Sequence, residues 1–133
     1  MRIMVDTNII ISAGLFLESI IGKALSHILK NHSLVLCKYT LNELTSVFKN
    51  KFSDRITALN SFTRSLNYEL IDIEIKDKKI YPKIRDINDL PILASAIESK
   101  VDLLVTGDKD FDDIIIEIPK IIKPRDYITI YIK

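Results

Sequence analysis

Asp6, Glu43, Asp89 and Asp108 are the residues whose type and placement could do chemistry in this chain. Asp6 closes the run Met4-Val5-Asp6-Thr7-Asn8, and Asp108 closes Val105-Thr106-Gly107-Asp108-Lys109-Asp110. Glu43 and Asp89 stand where helical patterns begin, in Tyr39-Thr40-Leu41-Asn42-Glu43 and Asp86-Ile87-Asn88-Asp89-Leu90-Pro91. Carboxylates brought together repel and take up protons unless a cation neutralises them. An all-oxygen cluster suits a hard divalent ion, Mg²⁺ or Mn²⁺. Such an ion beside a phosphodiester is the basis of metal-dependent hydrolysis of nucleic acid.

Each acid also has a purely structural reading. Asp-Thr-Asn is good turn chemistry, but a charge directly after a buried strand needs a partner or a cation. Asn8 can serve a turn as readily as it can orient a carboxylate. Thr40-Leu41-Asn42-Glu43 matches a capping box, in which the glutamate reaches back to the cap residue's N–H; the company of the other acids tips it towards the site. Asp89 in a first helical turn favours the macrodipole, with Asn88 as the cap and Asp86 as the neighbouring competitor. Thr106-Gly107-Asp108 reads as a tight turn or as a hydroxyl and a carboxylate offered to the site. Asp110 reads as a supporting residue. Asp112 and Asp113 read as solvated surface.

The elements that position these acids are legible as apolar runs. Ile3-Met4-Val5, Leu34-Val35-Leu36-Cys37 and Leu103-Leu104-Val105 read as buried strands, with Ile121-Ile122 as a last one. Ile9 to Ile11 continues the apolar character into a connection. Leu17, Ile20, Ile21, Ala24, Leu25, Ile28 and Leu29 fall at helical spacing, ending at Asn31-His32. A helix opened by Thr40 buries Leu41, Leu44, Val47 and Phe48, and another after Ser53-Asp54 buries Ile56, Leu59, Phe62 and Leu66. Leu70 to Ile75 alternates as a half-exposed edge strand, and Lys76 to Asn88 reads as a polar, basic loop. A helix from about Asp89 to Ser99 has Pro91 in its first turn, where a missing N–H costs little. Tyr127 to Ile132 alternates and is expected to add a C-terminal strand, with dimerisation through its edge as a second use. Alternating strands and helices predict a largely parallel sheet covered on both faces. In open sheets of this kind ligands sit beyond the carboxyl ends of the strands, where all four acids are expected.

The bulk numbers agree with a single soluble domain over residues 1–133. Hydrophobic residues make up 47% and charged residues 28%, enough for a core. The net charge of +1 does not announce a nucleic-acid binder, so such binding would rest on local patches. Basic residues cluster at Lys49, Lys51 and Arg55, and again at Lys76, Lys78, Lys79, Lys83 and Arg85 around Tyr81. Their default reading is solvated surface; the functional one, a rim that tracks phosphates with salt-sensitive affinity, uses Lys49, Lys51, Arg55, Lys79, Lys83 and Arg85. The single cysteine, Cys37, follows an apolar run and reads as buried. His27 and His32 have no partners at zinc spacing. No apolar stretch approaches the ~20 residues of a membrane helix, no signal segment is visible, and the chain is read as cytoplasmic.

The acids, their order and the closing stretch Asp89-Leu90-Pro91-Ile92-Leu93-Ala94-Ser95-Ala96 through Asp102-Leu103-Leu104-Val105-Thr106-Gly107-Asp108 resemble a PIN domain. The resemblance spans nearly the whole chain, and the chain is similar to small stand-alone prokaryotic PIN proteins related to VapC toxins. It implies an α/β fold, a three-layer α/β/α sandwich with a mainly parallel sheet of about five strands. It also implies Mg²⁺- or Mn²⁺-dependent endoribonuclease activity. By position, Asp6, Glu43, Asp89 and Asp108 match the family's acidic quartet, as catalytic residues and metal ligands, with Asp110 competing with Asp108 for the fourth place, and Asn8 and Thr106 match the polar residues that support it. An RNA substrate, a small antitoxin and a homodimer are the partners it implies. A non-catalytic scaffold binding RNA or protein is the competing reading. A phosphatase or phosphotransfer domain is the weaker one: Asn8 stands where a haloacid-dehalogenase-type phosphatase needs an acid, and a receiver's acidic pair is missing.

Overall fold

The computed structural model describes residues 1–132; the expected domain boundary at Lys133 lies outside the described residues. Five strands form one sheet: β1 (Arg2–Val5), β2 (Ser33–Cys37), β3 (Tyr68–Ile71), β4 (Leu103–Val105) and β5 (Lys120–Ile122), in spatial order β3-β2-β1-β4-β5. All four pairings are parallel, with Met4 opposite Val35 on one side and Leu104 on the other. Six α-helices connect them: α1 (Thr7–Leu15), α2 (Ile20–Asn31), α3 (Lys38–Lys51), α4 (Ile56–Ser65), α5 (Leu90–Glu98) and α6 (Pro124–Tyr131).

Because successive strand residues point to opposite faces, the sheet feeds two cores. Ile3, Val5, Leu34, Leu36, Leu103 and Val105 face a core closed by α1, α2, α3, α4 and α6. Met4, Val35, Cys37 and Leu104 face a second core closed by α5 and by Ile84 and Phe111 from loops. This is the expected three-layer α/β/α arrangement. The inner strands β1, β2 and β4 are short apolar runs because they are buried on both faces, whereas the edge strands β3 and β5 are partly exposed. Cys37 is buried, as expected. Among the described residues no single helix is long and apolar enough to cross a membrane.

Several local expectations are corrected. Tyr127 to Ile132 is no strand: α6 starts at Pro124 and runs to Tyr131. Tyr127, Ile128, Tyr131 and Ile132 pack inward while Ile130 is exposed, which is helical spacing hidden in an alternating sequence. Ile9 to Ile11 lies inside α1, not in a connection. The edge strand β3 stops at Ile71 instead of reaching Ile75. Finally, α3 opens at Lys38 with Cys37 in the cap position, so Thr40 is inside the helix. Thr40 is fully buried, its hydroxyl against the Cys37 sulfur at 3.3 Å, and the proposed capping box does not exist.

Candidate metal centre at the carboxyl edge of the sheet

The chain leaves β1 at its carboxyl end and turns at once into α1, and Asp6 is the residue at that turn. Its Oδ1 accepts the Ile9 N–H at 3.0 Å, capping the helix. Its Oδ2 accepts from the Thr106 hydroxyl, which comes from the end of the neighbouring strand β4. The Thr106 Oγ1 in turn accepts the Asp108 N–H at 3.1 Å. One threonine therefore ties the ends of the two central strands together and fixes where Asp6 and Asp108 stand. Asp6 is 4% exposed, and burial pushes its pKa up to about 6, with the nearby Asp108 and Glu43 charges adding to the rise. The hydrogen bonds from Thr106 and Ile9 pull the other way.

Glu43 arrives from α3, in the second turn rather than the first. The Thr7 hydroxyl donates to its Oε1, and the Tyr39 hydroxyl lies 3.4 Å from its Oε2. Thr7, not Asn8, is thus the polar residue of Asp-Thr-Asn that orients an acid. Asn8 is exposed in the first turn of α1 and makes no side-chain hydrogen bond among the described residues.

Asp89 ends a 3₁₀ turn, Ile87–Asp89, that leads directly into α5. It stands in the cap position of α5 but caps nothing, and Asn88 does not cap either; Asp86 takes the capping work of the turn by accepting the Asn88 N–H at 3.0 Å. The Asp89 carboxylate is left free to point at the other acids. Asp86, Asp89 and Asp110 each bring a carboxylate oxygen within 4.8 Å of the others, spacing suited to a shared cation. Asp89 Oδ2 is buried without a hydrogen-bond partner. Burial, then the charge of Asp108, with Asp110 and Asp86 close by, push the Asp89 pKa up to about 7. A buried, partnerless carboxylate oxygen facing other carboxylates is the chemistry a hard cation would satisfy, so the residues fit a divalent ion.

Asp108 and Asp110 both belong to this edge. Asp108 Oδ1 accepts the Asp110 N–H at 2.9 Å, capping the 3₁₀ turn Lys109–Phe111 and aiming Asp110 at Asp89. Asp108 connects to Asp6 through Thr106, and Asp110 connects to Asp89 and Asp86. Asp86, expected only as a competitor of Asp89, stands beside it; its short spacing from Asp89 across a cap was the signal. The basic residues are scattered: Lys49 and Lys51 lie in the last turn of α3 and Arg55 in the turn before α4. Lys79 and Lys83 are exposed on the loop before Asp86. Arg85 is exposed and pairs with Asp113 at 2.7 Å.

Comparison with known proteins fits this geometry. A family model described as a PIN domain matches residues 2–110. A search of curated proteins finds no match. Among solved structures, the chain is similar to one in the crystal structure of VapBC2 from Rickettsia felis bound to a DNA fragment from their promoter. The two are 25% identical, the match covers 92% of this chain and 97% of that one, and the TM-score is 0.68.

Proposed function

The chain belongs to the PIN-domain family, and from that premise we propose that it is a divalent-metal-dependent endoribonuclease, the toxin of a VapC-like toxin–antitoxin pair. The observation that carries the reading is the partnerless Asp89 oxygen among Asp86 and Asp110, beside the Asp6–Thr106–Asp108 link. In this reading Asp6, Asp89 and Asp108 would hold Mg²⁺ or Mn²⁺, with Glu43 as a further ligand or as the group that positions water, and with Asp86 and Asp110 beside Asp89. When bound, such an ion supplies a charged partner for the scissile phosphate and makes water a stronger nucleophile. The protein's own part is to keep the acids in place. Thr106 orients Asp6, Thr7 orients Glu43, and Asp108 fixes the turn that carries Asp110. Asn8 faces solvent at the mouth of this edge. The expected products carry a 5′-phosphate and a 3′-hydroxyl.

The same reading makes residues 1–133 one cytoplasmic domain with an antitoxin partner and a homodimer. A hollow of about 420 Å³ between α2 and α6, with Leu17, His27, Ile128 and Ile132 in its lining, supports a protein partner there. Phe16 and Leu17 beside it are each 62% exposed.

The test is cleavage of mixed end-labelled RNAs by the wild type and Asp6→Asn, in Mg²⁺, in Mn²⁺ and in chelator. The wild type should cut only with metal, and Asp6→Asn should lose at least ~100-fold of the rate. Cutting that survives chelator, or a folded Asp6→Asn protein of undiminished activity, would remove the proposed centre.

A further inference from the structure

The loop between β3 and α5 carries a hollow of about 420 Å³ immediately before the acidic turn. That volume is within the ~300–1,000 Å³ of ligand clefts. Its floor is Ile84 and Leu90, both buried in the second core. Its walls are the Tyr81 ring and Ile87, the latter 53% exposed. Lys78, Lys79 and Lys83 stand around it, all exposed and in no ion pair among the described residues. Arg85, in the same loop, pairs with Asp113 at the surface. The Tyr81 hydroxyl donates to Glu98 at 3.1 Å, which fixes the ring from α5.

An apolar slot with an aromatic wall and three unpaired cations at its mouth complements a ligand that is flat and apolar in one part and anionic in another. A nucleotide of single-stranded RNA is that ligand: bases stack on aromatic rings, and lysines track the backbone. In duplex RNA the base faces are stacked away and cannot enter. The hollow and the acids share one piece of chain. The turn Ile87–Asp89 gives Ile87 to the hollow, while Asp86 and Asp89 belong to the acidic cluster. A nucleotide held there would lie next to the phosphate presented to the acids. The lysines also offset the repulsion that several carboxylates exert on RNA.

Resting on the nuclease reading, we propose that this hollow is the subsite for an unpaired nucleotide flanking the scissile phosphate. Tyr81 and Ile87 take the base, and Lys78, Lys79 and Lys83 take the backbone. It places substrate selection in the loop before α5.

The experiment is anisotropy binding of a fluorescein-labelled single-stranded hexaribonucleotide to the full chain carrying Asp6→Asn, in Mg²⁺, across salt concentrations. Abasic RNA of the same length and the corresponding duplex are the comparison probes. Adding Lys79→Ala and Lys83→Ala together should weaken binding about tenfold at 0.1 M salt and flatten the log–log salt slope by about 1.4. Ile87→Ser should erase most of an about tenfold preference for intact over abasic RNA. All three positions are exposed, so these variants should fold. In parallel, the loop variants with Asp6 intact should raise KM for RNA cleavage with kcat unchanged.

Equal binding of intact and abasic RNA, or loop variants that bind and cleave as the parent does, would overturn the subsite and leave the nuclease standing. RNA binding that depends on the loop in a protein that cuts nothing would keep the subsite and sink the nuclease. Loop changes that alter only the oligomeric state in size exclusion would make this face a contact between copies and overturn the proposal.

Discussion

A proton and a divalent cation compete for the same carboxylate at Asp89. Its pKa of about 7 in the metal-free fold stands above the ordinary 3.8, so the fold holds that proton more tightly than the unfolded chain does. The stability this contributes is complete below about pH 4 and is lost as pH rises through about 7; Asp6 adds the same trend, ending near 6. The metal-free protein should therefore melt at falling temperature as pH goes from 5 to 8. Asp89→Asn, which removes one of the charges, should melt about 2–5 °C higher than wild type at pH 8 without metal. The two should converge near pH 5, where the aspartate is protonated. A melting series in chelator checks this, and a wild type whose melting temperature rises across that range would speak against the crowded carboxylates. Added Mn²⁺ should restore stability at pH 8 to the wild type and far less to Asp89→Asn.

At the scale of elements, α2 shows how closely the connections are fitted. Ser19 caps it by accepting the Gly22 N–H at 3.1 Å, and the chain folds back so tightly that a Cβ on Gly22 would lie 2.3 Å from the Leu17 carbonyl oxygen. Backbone cannot step aside as a side chain can. Gly22→Ala should cost about 2 kcal/mol or more, a loss of about 5 °C or more in melting temperature; a thermal melt without change would mean the turn opens freely. How much of the elements could be read from the chain follows from the same packing. Strands buried on both faces announced themselves as apolar runs, and α2, α4 and α5 by their spacing. The first helix escaped because Ile9, Ile10, Ile11 and Ala13 are all buried: a helix apolar on every side has no amphipathic period. The last helix escaped because β-branched residues between tyrosines imitate a strand. For the acids, Asp6, Asp89 and Asp108 were legible because each ends or begins an element. Thr7 was not, because it reaches Glu43 from another element and no local pattern encodes that; Tyr39 and Asp86 stand within four residues of the acids they accompany.

The molecule as a whole divides its polar work between the two edges of the sheet. At the amino edge Arg2 binds Glu69 at 2.6 Å and the Ser99 carbonyl at 2.5 Å, while its backbone N–H donates to Asp102 at 2.8 Å. These contacts join β1, β3 and the approach to β4, and they lie at the end of the strands away from the acids. Arg2→Ala should cost about 1 kcal/mol of stability, as partly exposed ion pairs do. It should leave RNA cleavage within about twofold of wild type; a large loss of rate would mean the two edges are not separate. At the carboxyl edge, β1, β4, α3 and the start of α5 deliver acids, and the proposed cation would bind there beside the partnerless Asp89 oxygen. The most direct test of that is a Mn²⁺ titration of the full chain at pH 7.5, followed calorimetrically and by the loss of free-ion paramagnetic signal. The wild type should take up Mn²⁺ with release of a fraction of a proton from Asp89, and Asp89→Asn should bind at least ~10-fold more weakly. A wild type that binds no Mn²⁺, or a folded Asp89→Asn protein that binds it equally well, would contradict the cation site on which the proposed nuclease depends.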